Sequence, residues 1–421
     1  MIRGCPFFRL RLGERAWRFL WWSARTASAV LWIGLAILPA SFSRLDASAT
    51  PRAGEDIPVL AYYYIWFDPE SWDRAKRDLP LLGRYSSDDR EVMRQHIRWA
   101  MAAGIDGFIV SWKDTDVLSG RLELLIEEAQ KEEFKLAIIY QGLDFERKPI
   151  GIDQIAADLD QFRDRYAGEE VFDLFARPLI IWSGTWEYTR AEIAEVTASR
   201  RGDLLILGSE RNASSYQHIA DLVDGDAYYW SSVNPDTYPG YPEKLQEMGE
   251  LVHANGGLWI APAAPGFDAR LIGGERVVER EGGAMFEEQF RAAISSSPDA
   301  IGLISWNEFT ENSHVEPSCV YGVRSLEVLA RLKYGMPPTV VPDCDTAAFS
   351  AIQASPLAGS MEPLGTPATA DDRIPADFDS SSPGGTDASP YGLIVVGALG
   401  GAIATSLVVL VRRAHMQSES P

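Results

Sequence analysis

The sequence has few cysteines and no excess of basic charge. It has three cysteines in 421 residues. Cys319 and Cys344 either form a disulfide in an oxidising compartment or remain two free buried thiols, and the sequence leaves both alternatives open. The formal net charge is −21. A body this acidic repels phosphate backbones, so we expect no nucleic-acid partner and, more simply, a neutral or cationic substrate.

Several common catalytic motifs are also missing. No Gly-x-Ser-x-Gly occurs, which argues against a serine hydrolase with a nucleophile elbow. The five histidines show no paired ligand spacing, so we expect neither a metal nor another cofactor. No glycine-rich fingerprint follows the first strand, which argues against a dinucleotide-binding sheet.

The N-terminal segment, residues 1–49, has the pattern of a signal peptide or an uncleaved signal anchor. It holds seven arginines, an apolar stretch at 27–40 and the candidate cleavage site Ala47-Ser48-Ala49. Either form predicts that the residues after this segment are exported.

The C-terminal segment predicts a membrane anchor. Residues 393–411 are uncharged and apolar and Arg412-Arg413 follow, so we expect a transmembrane helix over 391–413 and a cytoplasmic tail over 414–421. Residues 346–390, rich in Pro, Ser and Asp, predict a disordered stalk. Because positive residues stay inside, the middle of the chain is expected to be membrane-anchored but extracytoplasmic, at a cell surface or in a lumen.

Between these ends, residues 50–345 alternate short apolar runs with stretches of helical period. The predicted strands are 58–67, 104–112, 134–142, 177–184, 203–210, 223–231, 257–268 and 300–309. The predicted helices are 89–103 (capped by Ser87 or Asp88), 121–132, 152–166, 190–199, 241–254, 284–296 and 326–332, with 211–221 the least regular link. Eight such repeats predict an α/β fold, a single (β/α)8 TIM barrel; a doubly wound open sheet is the alternative.

Catalytic groups of such barrels lie at the carboxyl ends of the strands. Aromatic and carboxylate residues recur there, which favours a carbohydrate cleft, although core packing is the commoner role for any single Trp. The strand ends predict these substrate-binding residues: Trp66, Trp112, Asp114, Tyr140, Gln141, Trp182, Glu210, Trp230 (preceded by Tyr229), Asp268 and Asn307.

The loop after the last strand holds Glu308 and Glu311, three residues apart across a turn. Glycoside cleavage needs two carboxyl groups with different pKa values, and this pair suits that task. A solvated acidic loop would give the same spacing. Glu210 is a rival partner for Glu308.

The segment Asn307-Glu308-Phe309-Thr310-Glu311, continuing to Glu316-Pro317, resembles the signature Asn-Glu-Trp-His-Glu-Gly-Thr-Gln-Ile-Glu-Pro of glycoside hydrolase family 99. Residues 62–67, 83–88, 103–112 and 265–268 resemble further blocks of that family in order, so the resemblance spans 57–336. The resemblance implies a barrel enzyme without a metal. It implies that the enzyme cleaves α-mannosidic bonds within a glycan and that the configuration at the anomeric carbon is retained.

The resemblance implies that Glu308 takes a proton from the sugar 2-hydroxyl, giving an anhydro-sugar, and that Glu311 is the general acid and then base. It also implies that Tyr64 and Glu316 line or shape the site. The chain departs from the family at Phe309, Thr310, Asn312 and His314 and after the second and third strands, changes that bear on the sugar recognised. A surface-polysaccharide processing or transfer protein and a non-catalytic glycan-binding barrel are the alternative functions.

Overall fold

Residues 57–144 and 146–336 are described by the structure, a computed structural model. In this part of the chain eight parallel strands alternate with eight helices. The strands are β1 Val59–Tyr64, β2 Gly107–Ser111, β3 Lys135–Gln141, β4 Leu179–Ser183, β5 Leu205–Leu207, β6 Gly225–Ala227, β7 Leu258–Ala263 and, after the hairpin β8 Phe267–Asp268 and β9 Val277–Val278, β10 Ala300–Leu303. The helices are α1 Arg90–Ala103, α2 Asp116–Lys131, α3 Ile152–Arg165, α4 Arg190–Thr197, α5 Ala213–Ile219, α6 Tyr241–Ala254, α7 Ala284–Ser295 and α8 Arg324–Tyr334.

The strands form a closed barrel. Hydrogen-bonded neighbours follow the order β5-β4-β3-β2-β1-β10-β7-β6. The two outer strands of this order also meet, because Gly208 N donates to Gly225 O and Ala227 N donates to Gly208 O, both at 3.0 Å. The predicted (β/α)8 barrel is confirmed and the open-sheet alternative is excluded.

Each strand presents alternate side chains to the barrel interior and to the helices. The interior is filled by aliphatic residues, among them Leu60, Ile109, Ile139, Ile181, Leu207 and Ile260, of which Ile139, Ile181 and Leu207 are register partners on β3, β4 and β5. The other face packs on the helices in a larger, aromatic-rich cluster. Both faces are buried, as is usual for parallel strands.

Capping residues set the helix starts. Asp89 caps α1 by accepting from Glu91 N at 2.9 Å, so neither Ser87 nor Asp88 is the cap. Thr115 caps α2, which therefore begins at Asp116, before the predicted residue 121. Gly104 ends α1 with φ of 85°, as its position predicts.

The predicted seventh strand was too long, since β7 ends at Ala263 and Phe267–Asp268 pairs antiparallel with β9 outside the barrel. Cys319 is disulfide-bonded, and Cys344 lies outside the described residues. No helix within residues 57–336 combines the length and apolarity needed to cross a membrane. The predicted signal (1–49), stalk (346–390), anchor (391–413) and tail (414–421) lie outside the described residues.

Candidate active site

The loop after β10 folds back on itself at the carboxyl end of the barrel. Ser305 N donates to Ser313 O and Val315 N donates to Ser305 O, both at 2.8 Å, so the loop closes at its base. Glu308 N donates to Ser305 Oγ at 2.8 Å. This short closed loop brings Glu308 and Glu311 close enough to interact electrostatically.

Glu308 is 3% exposed and is surrounded by groups that favour its ionised form. Burial raises the pKa of Glu308, while a hydrogen bond from Thr310 N (2.9 Å to Oε1) and the charge of Lys76 oppose that rise. Lys76 itself donates to Ser71 O at 3.2 Å, which holds the ammonium group in this region. Glu308 is therefore the carboxyl group better suited to accept a proton.

Glu311 is 4% exposed, and its Oε2 has no hydrogen-bond partner among the described residues. Burial, followed by the charge of Glu308, raises the pKa of Glu311 to about 8, and the charge of Arg147 only partly offsets this. Glu311 therefore carries a proton at neutral pH and is the carboxyl group suited to donate one.

Two tyrosines complete the surroundings of the pair. The hydroxyls of Tyr64 and Tyr229 are 2.8 Å apart. Burial raises the pKa of both phenols, and the charges of Glu308 and Glu311 raise it further. The half-buried Trp66 packs on Tyr64 with ring centroids 4.1 Å apart. Tyr64 and Trp66, both predicted to bind substrate, thus lie beside the carboxyl pair.

Asn307 and Glu316 are fully buried and hold the loop after β10 in place through hydrogen bonds. Asn307 bonds both backbone groups of Tyr64, and its Nδ2 also donates to Tyr85 Oη at 3.3 Å. Glu316 accepts from Tyr85 Oη at 3.0 Å and lies 3.0 Å from His96 Nε2. These bonds favour the second of the predicted roles, in which Asn307 and Glu316 shape the site by positioning the loop, and a direct contact with substrate stays a prediction.

Asp268 also acts on the backbone of the loop. Its N–H donates to Glu311 O at 2.8 Å, and its carboxylate pairs with Arg77 and Arg270, each at 2.7 Å. Burial alone would raise the pKa of Asp268, but hydrogen bonds from Arg270 hold it below the usual value. Asp268 is a fixed anion that anchors Glu311.

Four predicted aromatic residues face the helices instead of the barrel mouth. Trp112 packs on Phe162, and Tyr140 Oη donates to Asp158 at 2.9 Å. Trp182 and Trp230 belong to or pack on the same outer cluster. Their strand positions alternate with the inward ones, so these rings pack in the outer layer, and their predicted contact with substrate stays a prediction. Gln141 is 8% exposed and lies on the face of β3 that points into the barrel, as expected for a residue that contacts substrate.

The two remaining predicted carboxylates also lie apart from the pair. Asp114 accepts from Ser119 Oγ at 2.9 Å, between α2 and α3. Glu210 accepts from Thr185 Oγ1 at 2.6 Å, and burial raises the pKa of Glu210. The charge of Glu308 raises the pKa of Glu311 but is not among the causes of the shift at Glu210, which favours Glu311 as the partner of Glu308. In residues 57–336, no three His, Cys, Asp or Glu side chains are arranged to hold a metal ion.

Sequence reasoning missed Tyr229, Lys76 and Arg147. Tyr229 precedes Trp230 at the predicted end of β6 and follows Ala227 by two residues, and once the structure shows that Ala227 faces inward, strand parity selects Tyr229 over Trp230. Lys76 and Arg147 come from loops after β1 and β3, and no local motif marks them.

The chain is similar to proteins of known type across the barrel. It is 23% identical over 268 residues to a Glycoprotein endo-alpha-1,2-mannosidase-like protein of Danio rerio, covering 58% of this chain and 60% of the relative. The chain thus spans less than two thirds of that relative. The fold resembles the GH99 endo-alpha-mannosidase of Bacteroides thetaiotaomicron (TM-score 0.58, 24% identity, 66% of this chain and 95% of that one). It also resembles a glycoside hydrolase-like protein (TM-score 0.52, 15% identity, 68% and 97%).

The family model described as Glycosyl hydrolase family 99 matches residues 68–335. This match covers every barrel strand except β1 and includes both Glu308 and Glu311. Because it extends over more than half of the chain, the protein belongs to glycosyl hydrolase family 99.

Proposed function

We propose that this barrel is a retaining glycoside hydrolase that cleaves within an α-linked, mannose-containing glycan. The observation that carries the proposal is the difference between two buried carboxyl groups, Glu308 and Glu311. Donors surround Glu308, whereas Glu311 has an unbonded oxygen and a pKa of about 8. The names of the Danio rerio relative and the Bacteroides thetaiotaomicron structure support an α-mannoside as substrate.

In the first step Glu308 accepts the proton of the substrate 2-hydroxyl. The freed oxygen attacks C1, the bond from C1 to the leaving oxygen breaks, and Glu311 gives its proton to that oxygen. The products are a shortened glycan and a 1,2-anhydro-sugar. Glu311 is then ionised and Glu308 protonated.

In the second step Glu311 takes a proton from a water molecule whose oxygen attacks C1. The C1–O2 bond opens, and O2 recovers its proton from Glu308. Two inversions at C1 leave the configuration unchanged, and both carboxyl groups return to their starting states. The 2.8 Å Tyr64–Tyr229 pair provides hydroxyl groups beside the reacting atoms, and Trp66 offers a ring on which a sugar face packs.

The test is an assay of the purified full chain on α-mannans and α-glucans, with release of reducing ends and the configuration of the first-formed product followed by NMR. We expect α-mannan to be cleaved with an α product. Transfer to a sugar acceptor in place of water would favour the processing alternative. Glycan binding without any bond cleavage would overturn the hydrolase.

We also propose that the barrel is exported and tethered to a membrane by residues 391–413. The uncharged run 393–411 and the adjoining Arg412-Arg413 support this. Protease added to intact cells should remove the barrel, and alkaline carbonate should leave the full chain in the membrane pellet. Release by carbonate would contradict the tether, and a barrel that protease reaches only after the cytoplasm is opened would contradict the export.

A further inference from the structure

We propose that Arg147 and Arg211 form an anion-binding subsite beside Glu311, so that the glycan cleaved here carries an acidic group, a carboxylate or a phosphate, at that position. The inference rests on the proposed hydrolase and adds the class of substrate. It reverses the expectation of a neutral or cationic substrate that the net charge of −21 suggests.

The first observation is that both guanidinium groups lack a protein partner. Neither Arg147 nor Arg211 makes an ion pair or a side-chain hydrogen bond within residues 57–144 and 146–336. The whole chain holds 60 acidic and 39 basic residues, so carboxylates are abundant. Most other arginines of the barrel do pair with one, as Arg77, Arg94 and Arg190 do.

Arg211 is held in place without being neutralised. Its Cζ lies 4.3 Å from the centre of the Trp186 ring, in the loop after β4. Stacking fixes the plane of a guanidinium but leaves its in-plane donors free for an anion. The Trp186 Nε1–H also has no acceptor among the described residues.

Arg147 sits at the tip of a tight turn after β3. Asp144 Oδ1 accepts from Glu146 N at 2.8 Å and from Lys148 N at 2.9 Å, and Arg147 N donates to Asp144 O at 3.1 Å. Arg147 has a φ of 65°, a left-handed conformation that costs free energy for a residue with a side chain. Strained conformations of this kind cluster at ligand sites.

The loop after β4 joins the two arginines at the mouth of the barrel, because its Tyr188 Oη donates to Ile150 O at 3.1 Å in the loop of Arg147 and its Trp186 stacks on Arg211. Burial and then the charge of Arg211 hold the pKa of Arg147 below its usual value, while the charges of Glu187 and Glu311 oppose this. Neither Glu187 nor Glu311 forms an ion pair with these two like charges within the described residues, so an anion would complete the site. Net charge sets the long-range field, but recognition depends on the groups in contact.

The substrate pairs for the test differ only in acidic groups. One pair is a phosphomannan and the same mannan after removal of phosphate; the other is an α-linked polysaccharide containing uronic acids and its carboxyl-reduced form. The full chain is assayed on each for kcat/KM, and the ratio of acidic to neutral substrate is the readout. Binding of the four glycans to the full-length Glu308→Gln variant gives a second readout that needs no catalysis.

We expect an acidic preference in one pair, which identifies the group as phosphate or carboxylate. Arg147→Gln and Arg211→Gln should each lower that preference by about tenfold, the effect of one hydrogen bond between charged groups. Arg291→Gln, an exposed arginine on α7, makes the same charge change and should leave the ratio as it is.

A ratio near one in both pairs, or a ratio unchanged by both arginine variants, overturns the subsite even if neutral mannan is cleaved. Absence of cleavage together with an arginine-dependent preference in binding overturns the hydrolase and leaves the subsite standing. Lack of any preference in cleavage and in binding overturns the subsite as well.

Discussion

Asn307 holds Tyr64 by both of its backbone polar groups. Asn307 Oδ1 accepts from Tyr64 N at 2.8 Å, and Asn307 Nδ2 donates to Tyr64 O at 2.9 Å. These bonds tie the catalytic loop to the end of β1 across 243 positions of sequence. They hold the backbone of Tyr64 beside Asn307, the residue that precedes Glu308.

Replacing Asn307 should therefore cost both stability and activity. We expect Asn307→Ala to lower the free energy of unfolding by about 2–4 kcal/mol, because two buried backbone groups lose their partners. Chemical denaturation followed by fluorescence measures this. Asn255→Ala removes an exposed bond to Leu251 O at the end of α6 and should change stability by less than about 1 kcal/mol. Equal losses of unfolding free energy in both variants would contradict a stabilising role for the bonds between Asn307 and Tyr64.

The roles of the two carboxyl groups can be separated by the leaving group. Glu308→Gln and Glu311→Gln should each reduce kcat on mannan by about 10²–10⁴-fold. An α-mannosyl fluoride needs no acid for departure, so it should restore much of the first step in Glu311→Gln and little in Glu308→Gln. Glu123→Gln, a half-exposed residue of α2 that pairs with Arg165, serves as control. Restoration in Glu308→Gln instead would show that the roles are reversed.

The pH profile of kcat/KM should have its alkaline limb set by Glu311. Its pKa is about 8, so the acid is protonated below that pH and activity falls as pH rises through it. Lys76 opposes the rise in the pKa of Glu308, so Lys76→Met should move the acid limb to higher pH. A profile flat to pH 10, or an acid limb unmoved by Lys76→Met, would contradict these assignments.

Glu311 should make the fold less stable as pH rises. Its folded pKa of about 8 lies above the value in the unfolded chain, so the folded state holds an extra proton between roughly pH 4.5 and pH 8. The stability penalty therefore grows across that window and is complete above pH 8. Glu311→Gln should raise Tm by a few degrees at pH 8 and by little at pH 4.5. Scanning calorimetry at both values checks this, and an equal gain at both would refute it.

Two tyrosines on opposite faces of the strands provide a matched comparison. Tyr229→Phe removes the hydroxyl beside Tyr64 and should lower kcat/KM about tenfold or more. Tyr140→Phe removes a bond to Asp158 in the outer layer and should lower stability while leaving kcat/KM nearly unchanged. The reverse pattern would mean that the inward face is not the one that binds substrate.

Much of the architecture could be predicted from the sequence. The alternation of apolar runs and helical periods predicted eight strand–helix repeats, and α6 begins and ends at the predicted residues. The predicted element boundaries were wrong where a capping residue sets the start of a helix, as Thr115 does for α2. They were also wrong where a hairpin follows a strand, as at Phe267. The carboxyl pair was identifiable because Glu308 and Glu311 lie in one short loop, where spacing alone limits their separation.

The sequence by itself determined the repeat pattern, the family signature and the two carboxyl groups, all of which are local in the chain. The tertiary structure decided which residues surround them. Both faces of each strand are apolar, so composition did not reveal that Tyr229 points inward and Trp112 outward. Lys76 and Arg147 reach the pair from loops after different strands, and only closure of the barrel brings those loops together.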